Sequence, residues 1–423
     1  MKKILLSITA LLLVGSMVFA GGKKDAPKEE VVEFYHGFYH AESEWPPAKA
    51  MRDIYDAFAA RYADGPVKFK PIPVENRYDI TMAAIAGGNF PDIVDIGQPV
   101  PPSAISQGLV MDLKPYIDAN GLQDAVGINY DQNMVNGKLY TVHDQLESRG
   151  TWYNTAILER AGVDIASMNT WEGFAAAMEK VRALNDGSYG YIAGQGSVMI
   201  LNSKLATTAE GRALLNGALT KDGINSAAFK NAFIETARLD QANGSAHTTV
   251  DIGNMMADFN TNGIVAVLHN GVWNAGSIDA SLKDAIEPAI FPGSVSISTA
   301  SGGITIANNM SDAKKEVALE FLKYMVSPEV QEKIFLQVQA APCNETVDVN
   351  ALAATSSDVA TKKLAAAIGM VADADNIVIC LSTPWGQDVQ TAIINALMEC
   401  AVAGADIEGR FARLQQELIA IVG

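Results

Sequence analysis

The sequence is poor in cysteine, with three in 423 residues, at positions 343, 380 and 400. Three cysteines are too few for a fold held together by disulfides, and no CxxC pair occurs among them. An odd number leaves at least one free thiol. A disulfide between two of Cys343, Cys380 and Cys400 stays open, because the sequence does not choose a pair.

The chain is also poor in positive charge. Lys and Arg number 31 against 48 Asp and Glu, which gives a formal charge of −17. A protein that binds nucleic acid needs a basic face, and this acidic balance excludes that class. The composition is 49% hydrophobic and 19% charged, which favours a packed protein over a disordered one. A length of 423 residues predicts at least two domains.

Motifs of catalysis are missing as well. The sequence contains neither HExxH nor GxSxG, and Met199 stands where the third glycine of GxGxxG would follow Gly194 and Gly196. The five histidines are scattered. His36 and His40 could bind a metal together with Glu42 or Glu44, but no other group has ligand spacing. We therefore predict a protein that is not an enzyme and holds no metal or cofactor.

Long apolar runs are confined to the N-terminus. Two lysines precede an apolar stretch that ends in small residues at 18–20 (VFA), the pattern of a signal peptide cleaved after residue 20. An uncleaved anchor helix is the alternative, although the stretch is slightly short for a span. Cleavage lowers Lys plus Arg from 31 to 29 and makes the charge −19. Residues 21–30 are predicted to be a flexible lead-in, and the protein is expected to be exported to the periplasm or another extracytoplasmic space.

Strands and helices alternate through the rest of the sequence. Residues 31–35, 67–74 and 91–97 have strand patterns, and residues 47–62 and 78–86 between them have helical periodicity. Such β-α-β-α-β order predicts an α/β fold with a mostly parallel sheet. Further helices are predicted at 209–215, 226–241, 312–326, 387–402 and 406–421, and a fully apolar strand at 263–268.

Several short motifs, in their shared order, carry a family resemblance. They are 90–97 (FPDIVDIG), 137–140 (GKLY), 152–154 (WYN), 161–164 (AGVD), 170–174 (TWEGF), 263–267 (GIVAV) with Trp273, 301–303 (SGG), 314–325 (KKEVALEFLKYM) and 327–331 (SPEVQ). Across nearly the whole mature chain, the sequence resembles the extracellular solute-binding proteins of ABC transporters, in the sugar-binding group. The polar stretch 142–149 and the loop after residue 35 depart from the usual pattern of that group.

The resemblance implies a two-lobed periplasmic-binding-protein fold with discontinuous lobes joined by a hinge. Lobe 1 is expected at 31–142 plus 300–345, and lobe 2 at 143–299 plus 346–423. The implied function is capture of a mono- or oligosaccharide between the lobes and its delivery to the permease subunits of an ABC transporter. The protein is expected to act as a monomer.

Candidate ligand contacts are polar and aromatic residues that follow predicted strands or lie in the expected crossing segments. Aromatic rings cover the C–H faces of sugars, and polar side chains satisfy their hydroxyls. Ligands of open α/β sheets bind at the carboxyl ends of the strands. The candidates are His36, Tyr39, His40, Glu42, Trp45, Asn76, Gln98, Asp144, Arg149, Trp152, Gln195, Asn270, Trp273, Gly302 and Trp385.

Two alternative functions stay open. A secreted carbohydrate-active enzyme needs two carboxylates placed in a cleft, and no motif marks such a pair. The same fold could bind another solute, such as a polyol phosphate, a peptide or a metal chelate. A phosphate ligand favours a basic cleft, for which Arg77 and Arg149 are thin support.

Overall fold

A computed structural model gives the structure of residues 30–42, 45–97, 99–249, 252–300 and 302–423, with side chains described for all of these except 252–255. The predicted signal peptide at 1–20 and the lead-in up to residue 29 lie outside the described residues. Within the described ranges, no helix has both the length and the apolar character needed to cross a membrane.

Strands and α-helices are interspersed along the chain. The strands are β1 (Glu30–His36), β2 (Val67–Pro73), β3 (Ile93–Asp95), β4 (Met134–Val135), β5 (Lys138–Leu139), β6 (Gln145–Asn154), β7 (Tyr189–Tyr191), β8 (Ala193–Gly194), β9 (Thr248–Thr249), β10 (Val265–Gly271), β11 (Ile286–Ala289), β12 (Val295–Thr299), β13 (Ile304–Ile306), β14 (Ala341–Pro342) and β15 (Asn376–Val378). The first helices are α1 (Pro46–Ala60), α2 (Arg77–Ala86), α3 (Pro102–Ser106), α4 (Lys114–Ala119), α5 (Gln123–Val126), α6 (Asn129–Gln132), α7 (Thr155–Arg160), α8 (Trp171–Ala183), α9 (Gln195–Ala206) and α10 (Ala209–Leu215). The remaining helices are α11 (Lys221–Ile224), α12 (Ala227–Asn243), α13 (Ile252–Asn260), α14 (Asp312–Met325), α15 (Pro328–Lys333), α16 (Val349–Thr355), α17 (Val359–Ala372), α18 (Ser382–Trp385), α19 (Gln387–Cys400) and α20 (Ile407–Val422).

The first lobe is built on a four-stranded sheet in the order β13-β3-β1-β2. β1 pairs in parallel with both β2 and β3, whereas β13 returns antiparallel to β3. An aromatic core packs helices α1 and α14 onto this sheet: the Phe34 ring lies 4.9 Å from Tyr55 and 4.8 Å from Phe321, between ring centroids. The parallel strands place the ends of β1 and β3 at one edge of the sheet.

The second lobe surrounds a larger sheet in the order β15-β12-β6-β10-β7, with β11 and β14 also paired to β6. β6 runs antiparallel to β10 and β12. Helices α9, α12, α19 and α20 share one hydrophobic core beside this sheet. At the start of α8 the Thr170 hydroxyl accepts a hydrogen bond from the Gly173 backbone N–H at 3.1 Å, as predicted for an N-cap.

The chain passes between the lobes in the segments between β5 and β6, between β12 and β13, and between α15 and α16. The first two passages are tied together, because the Thr141 hydroxyl donates to the Gly302 carbonyl at 2.8 Å. Gly303 has a φ of +101°, and a side chain there would overlap the backbone of Val142 and His143. The residue limits predicted for the two lobes stay predictions.

Candidate functional site

Two adjoining cavities form a cleft between the lobes. The inner chamber has a volume of about 270 Å³, and the outer chamber has a volume of about 490 Å³. Gly97 and Pro99, just after β3, bring the first lobe to the wall of the inner chamber, and the second lobe supplies the rest. Glu147 and Trp273 line both cavities, so they stand at the junction between the two chambers.

An ion pair on β6 forms one wall of the cleft. Glu147 and Arg149 are two residues apart on the strand, so their side chains point to the same face. An Arg149 Nη2 donates to a Glu147 carboxylate oxygen at 2.6 Å. Burial opposes ionisation of Glu147, but the Arg149 guanidinium, assisted by His143, outweighs it and holds the pKa of Glu147 below its usual value. Both members of the pair are therefore charged near neutral pH.

Trp273 is folded back over the end of β10. The Arg149 guanidinium carbon lies 5.4 Å from the centroid of the Trp273 ring, within the range of a cation–π contact. The ring also lies directly against Gly271, where an added Cβ would overlap it. Glycine at 271 is thus a requirement for the position of Trp273, and the aromatic wall depends on both residues.

The remaining walls of the inner chamber are mostly uncharged polar groups. Side-chain amides come from α9, β10 and α19, and hydroxyls come from β12 and α18: Gln195, Asn270, Gln387, Gln390, Thr299, Ser382 and Thr383. Met199, Met256 and Leu268 add apolar surface. This mixture of donors, acceptors and apolar patches suits a neutral molecule with many hydroxyl groups.

Three buried polar groups of the inner chamber have hydrogen-bonding capacity to spare. Arg149 Nη1, Gln390 Oε1 and both ring nitrogens of His269 have no hydrogen-bond partner among the described residues. Burial lowers the pKa of His269 to about 3, so its imidazole is neutral. Unpaired buried polar groups are costly, and because these atoms have almost no accessible surface, a ligand pairs with them only if neighbouring side chains move.

The outer chamber is more aromatic and is closed on the first-lobe side by the loop after β1. Phe38 and Trp45 stack with a centroid separation of 5.4 Å and an interplanar angle of 17°. Arg52 on α1 holds this loop, since its Nη1 donates to the carbonyls of Phe38 at 2.8 Å and His40 at 2.7 Å. Phe38 and Trp45 therefore present an apolar surface to the chamber that Trp273 also lines.

Five of the candidate residues taken from the sequence line these two chambers: Trp45, Arg149, Gln195, Asn270 and Trp273. They come from both lobes, and the structure brings them to one cleft. Gln98 lies outside the described residues. Whether any of the five contacts a ligand stays a prediction.

Other candidates lie near the cleft without lining either chamber. His36 ends β1 but is buried among rings, and its Nδ1 accepts from the Phe38 N–H at 3.2 Å. Burial, with Arg52 and Arg77, lowers its pKa to about 4. Gly302 is buried at the chain crossing. Four further candidates are on the surface of the first lobe, partly or largely exposed: Tyr39, His40, Glu42 and Asn76.

Two of the candidate tryptophans, Trp152 and Trp385, are core residues in this structure, and we correct their assignment. Trp152 is 1% exposed, and its Nε1 donates to the Gly271 carbonyl at 3.0 Å. Trp385 is 6% exposed, and its Nε1 donates to the Leu214 carbonyl at 2.9 Å inside the second-lobe core. Each indole has its polar atom satisfied internally, so packing explains its position.

Several residues that line the inner chamber were not among the candidates, and they include Glu147, His269, Cys380, Gln387 and Gln390. Sequence spacing could have identified three of these as site candidates. Glu147 is two residues from Arg149 on a strand, and Gln387 is three residues from Gln390 on a helix, so each pair shares a face. All three cysteines are free thiols, so the disulfide left open by the sequence is not formed. Among the described residues, no cluster of His, Cys, Asp or Glu has the arrangement of a metal site.

Asp144, another candidate, lies buried beside the cleft at the start of the crossing and gives a pH-dependent prediction. Burial raises the pKa of its carboxyl to about 6, with His143 opposing and Asp95 reinforcing the shift. The pKa of an aspartate in the unfolded chain is about 3.9. The stabilising contribution of Asp144 is therefore complete below about pH 3.9 and is lost as the pH rises through about 6. Asp144→Asn, which cannot ionise, should gain about 1.4 kcal/mol over the wild type between pH 5 and pH 8. Urea unfolding at both pH values checks this, and an equal difference at both would contradict it.

The fold and the cleft together define a class of protein. Two α/β lobes that the chain crosses several times enclose a polar and aromatic cleft, as in proteins that bind a solute between their lobes. The chain belongs to the bacterial extracellular solute-binding proteins, since the model of that family matches residues 53–367.

Solved structures and curated proteins give more specific relatives. The chain is 45% identical to a Streptococcus pneumoniae solute-binding protein solved in complex with the blood group A-trisaccharide. The two superpose with a TM-score of 0.87 over 92% of this chain and 100% of that chain. An ABC substrate-binding protein from Listeria monocytogenes in complex with cycloalternan is 18% identical, with a TM-score of 0.67 over 93% of this chain and 99% of that one, and it supports the fold alone. The arabinooligosaccharide-binding protein of Bacillus subtilis is 23% identical over 219 residues, which span 48% of this chain and about half, 47%, of that relative.

Proposed function

We propose that this protein captures an oligosaccharide in the interlobe cleft and delivers it to the permease subunits of an ABC transporter for import. The observation that carries the proposal is the relative of 45% identity that was solved with a trisaccharide. The uncharged polar walls of the inner chamber and the ring of Trp273 support it. Such a cleft offers hydrogen bonds to hydroxyls and an aromatic surface to the C–H face of a sugar.

The ligand contacts that we propose are the residues brought together in the two chambers. Arg149, Gln195 and Asn270 would bond hydroxyls in the inner chamber, and Trp273 and Trp45 would stack on sugar rings. Because these residues belong to both lobes, a bound sugar makes its full set of contacts only when the lobes are closed together. The ligand thereby favours the closed state, and we propose that this state docks on the permease as a monomer.

We further propose that the protein binds its sugar without cleaving it. The family and the relatives named above are binding proteins. Hydrolysis of a glycosidic bond by the common mechanisms needs two carboxyl groups that flank the bond. Among the described residues, Glu147 is the carboxylate that lines the chambers, and it is engaged by Arg149.

Isothermal titration calorimetry of the ligand-free mature protein tests the proposal. The titrants are the blood group A-trisaccharide, raffinose and chitin oligosaccharides, with a polyol phosphate and a short peptide as representatives of the other solutes. We expect at least one neutral oligosaccharide to bind with a Kd of about 1 μM or tighter. Binding of the phosphate or the peptide in the absence of any sugar binding would overturn the carbohydrate assignment, and release of shorter sugars would overturn the assignment as a non-enzyme.

Cys380 provides a test of where the ligand sits. It lines the inner chamber and is 5% exposed, whereas Cys343 and Cys400 are fully buried away from both chambers. We expect a saturating sugar to slow alkylation of Cys380 by iodoacetamide at least fivefold, because an occupied chamber excludes the reagent. Mass spectrometry of the Cys380 peptide measures the rate, and the peptides of the other two cysteines are internal controls. An unchanged rate in the presence of a bound sugar would place the ligand elsewhere.

A further inference from the structure

The charges of the inner chamber cancel within the chamber itself. Glu147 and Arg149 are the charged side chains among the described residues that line it, and they are joined at 2.6 Å. The Arg149 side chain is 15% exposed and that of Glu147 is 34% exposed, so the carboxylate is the more open of the two to a ligand. His269 adds no charge, since it is neutral.

The ion pair also fixes the direction of Arg149. Glu147 binds Nη2 on one side of the guanidinium, and the Trp273 ring lies 5.4 Å from its carbon. Nη1 is buried and has no hydrogen-bond partner among the described residues. A guanidinium is a planar fork, so holding one nitrogen sets where the other points. Arg149 is therefore held in one orientation at the chamber wall, with 15% of its side chain exposed.

From this geometry we propose that Glu147 is a positioning and specificity-determining residue: it holds Arg149 as an oriented donor for neutral sugar hydroxyls and makes the cleft reject saccharides that carry a carboxylate. The inference rests on the proposed function, because it concerns the choice among sugars at the same site. An arginine without a carboxylate partner would attract the carboxylate of an acidic sugar and bind it bidentately. With Glu147 in place that attraction is neutralised, and an incoming carboxylate meets a negative charge at the chamber junction.

Glu147→Gln tests the proposal because it predicts changes of opposite sign for two classes of ligand. The affinity of the variant for the tightest-binding neutral sugar should fall about tenfold, since Arg149 loses its orientation. Its affinity for an acidic sugar should rise about tenfold, since the Arg149 charge is then free. Galactose and galacturonate, and glucose and glucuronate, are matched pairs that differ at C6. Their competition against the bound neutral oligosaccharide, followed by Trp fluorescence, measures both affinities.

Two further variants separate positioning from general damage. Glu147→Asp retains the charge and should recover most of the neutral-sugar affinity and the rejection of galacturonate. Glu235→Gln removes a comparable carboxylate that lies outside the cleft, where it accepts a hydrogen bond from Lys204 Nζ at 2.9 Å. This variant should alter neither affinity. A loss of affinity for both classes of sugar in Glu147→Gln would show a merely structural role and overturn the inference.

Unchanged neutral-sugar binding in Glu147→Gln, or no gain in competition by galacturonate or glucuronate, would also overturn it. These results differ from failure of the proposed function, in which the wild-type protein itself binds no carbohydrate.

Discussion

Replacing Trp273 with alanine is expected to weaken binding of the sugar that binds most tightly in the calorimetric titrations by roughly 30-fold, which corresponds to about 2 kcal/mol. Trp273 is the one aromatic residue shared by both chambers among the described residues, so it can face two successive parts of an oligosaccharide. Its loss removes the stacking surface and also one contact of the Arg149 guanidinium. Calorimetric titration of the purified variant gives the change in Kd directly.

Gly271→Ala is also expected to weaken sugar binding, although it leaves the indole of Trp273 in the protein. The added methyl would overlap the Trp273 ring, so the ring must leave its place and the affinity should fall about tenfold. Trp171→Ala is the matched control, because Trp171 lies on α8, outside both chambers, and its loss should leave the affinity unchanged. Affinities within twofold of the wild type for both Trp273→Ala and Gly271→Ala would show that the ring does not contact the sugar.

The sequence was sufficient to predict the elements whose apolar residues have a clear period. Helix α14 was expected at 312–326 and is found at Asp312–Met325, with Val317, Phe321 and Leu322 buried on one face. Strand β10 was expected at 263–268 and is found at Val265–Gly271, nearly all buried. In both cases one local pattern decides the structure, because the spacing of apolar residues selects the face that packs.

Strand β6 was not predicted as a strand, although it is central to the second sheet. Its first half, Gln145 to Gly150, is polar and ends in glycine, so it has no apolar alternation. It is extended because four other strands pair with it, and those partners lie far away in sequence. Without the strand there was no reason to place Glu147 and Arg149 on one face, and Glu147 was missed.

Tryptophan was a poor guide to the site for a related reason. A cleft and a core both accept an indole, and the difference is whether Nε1 finds a partner inside the lobe. For Trp152 and Trp385 the partners are the carbonyls of Gly271 and Leu214, 119 and 171 residues away. Trp273 lines the cleft because it follows the end of a buried strand, where an open α/β sheet exposes its loops, and its contact with a ligand stays a prediction.

Gln331→Leu is expected to destabilise the folded protein by about 4 kcal/mol. Gln331 lies on α15, is fully buried, and its amide bonds two of the segments through which the chain passes between the lobes. Its Nε2 donates to the carbonyls of Asp144 at 2.9 Å and Met325 at 2.8 Å, and its Oε1 accepts from the Cys343 N–H at 2.7 Å. Leucine fills a similar volume but leaves three buried backbone groups without partners, each at a cost of about 1–3 kcal/mol.

Urea unfolding of the ligand-free protein at pH 7 measures the effect of Gln331→Leu as a lower midpoint at an unchanged slope. Gln416→Leu supplies the control, since this glutamine is exposed on α20 and the same substitution there should change the free energy of unfolding by less than about 0.5 kcal/mol. A loss below about 1 kcal/mol for Gln331→Leu would mean that the three backbone groups find other partners. A large loss would show that the buried amide that joins the crossing at Asp144 to the crossing at Cys343 contributes strongly to the stability of the folded protein.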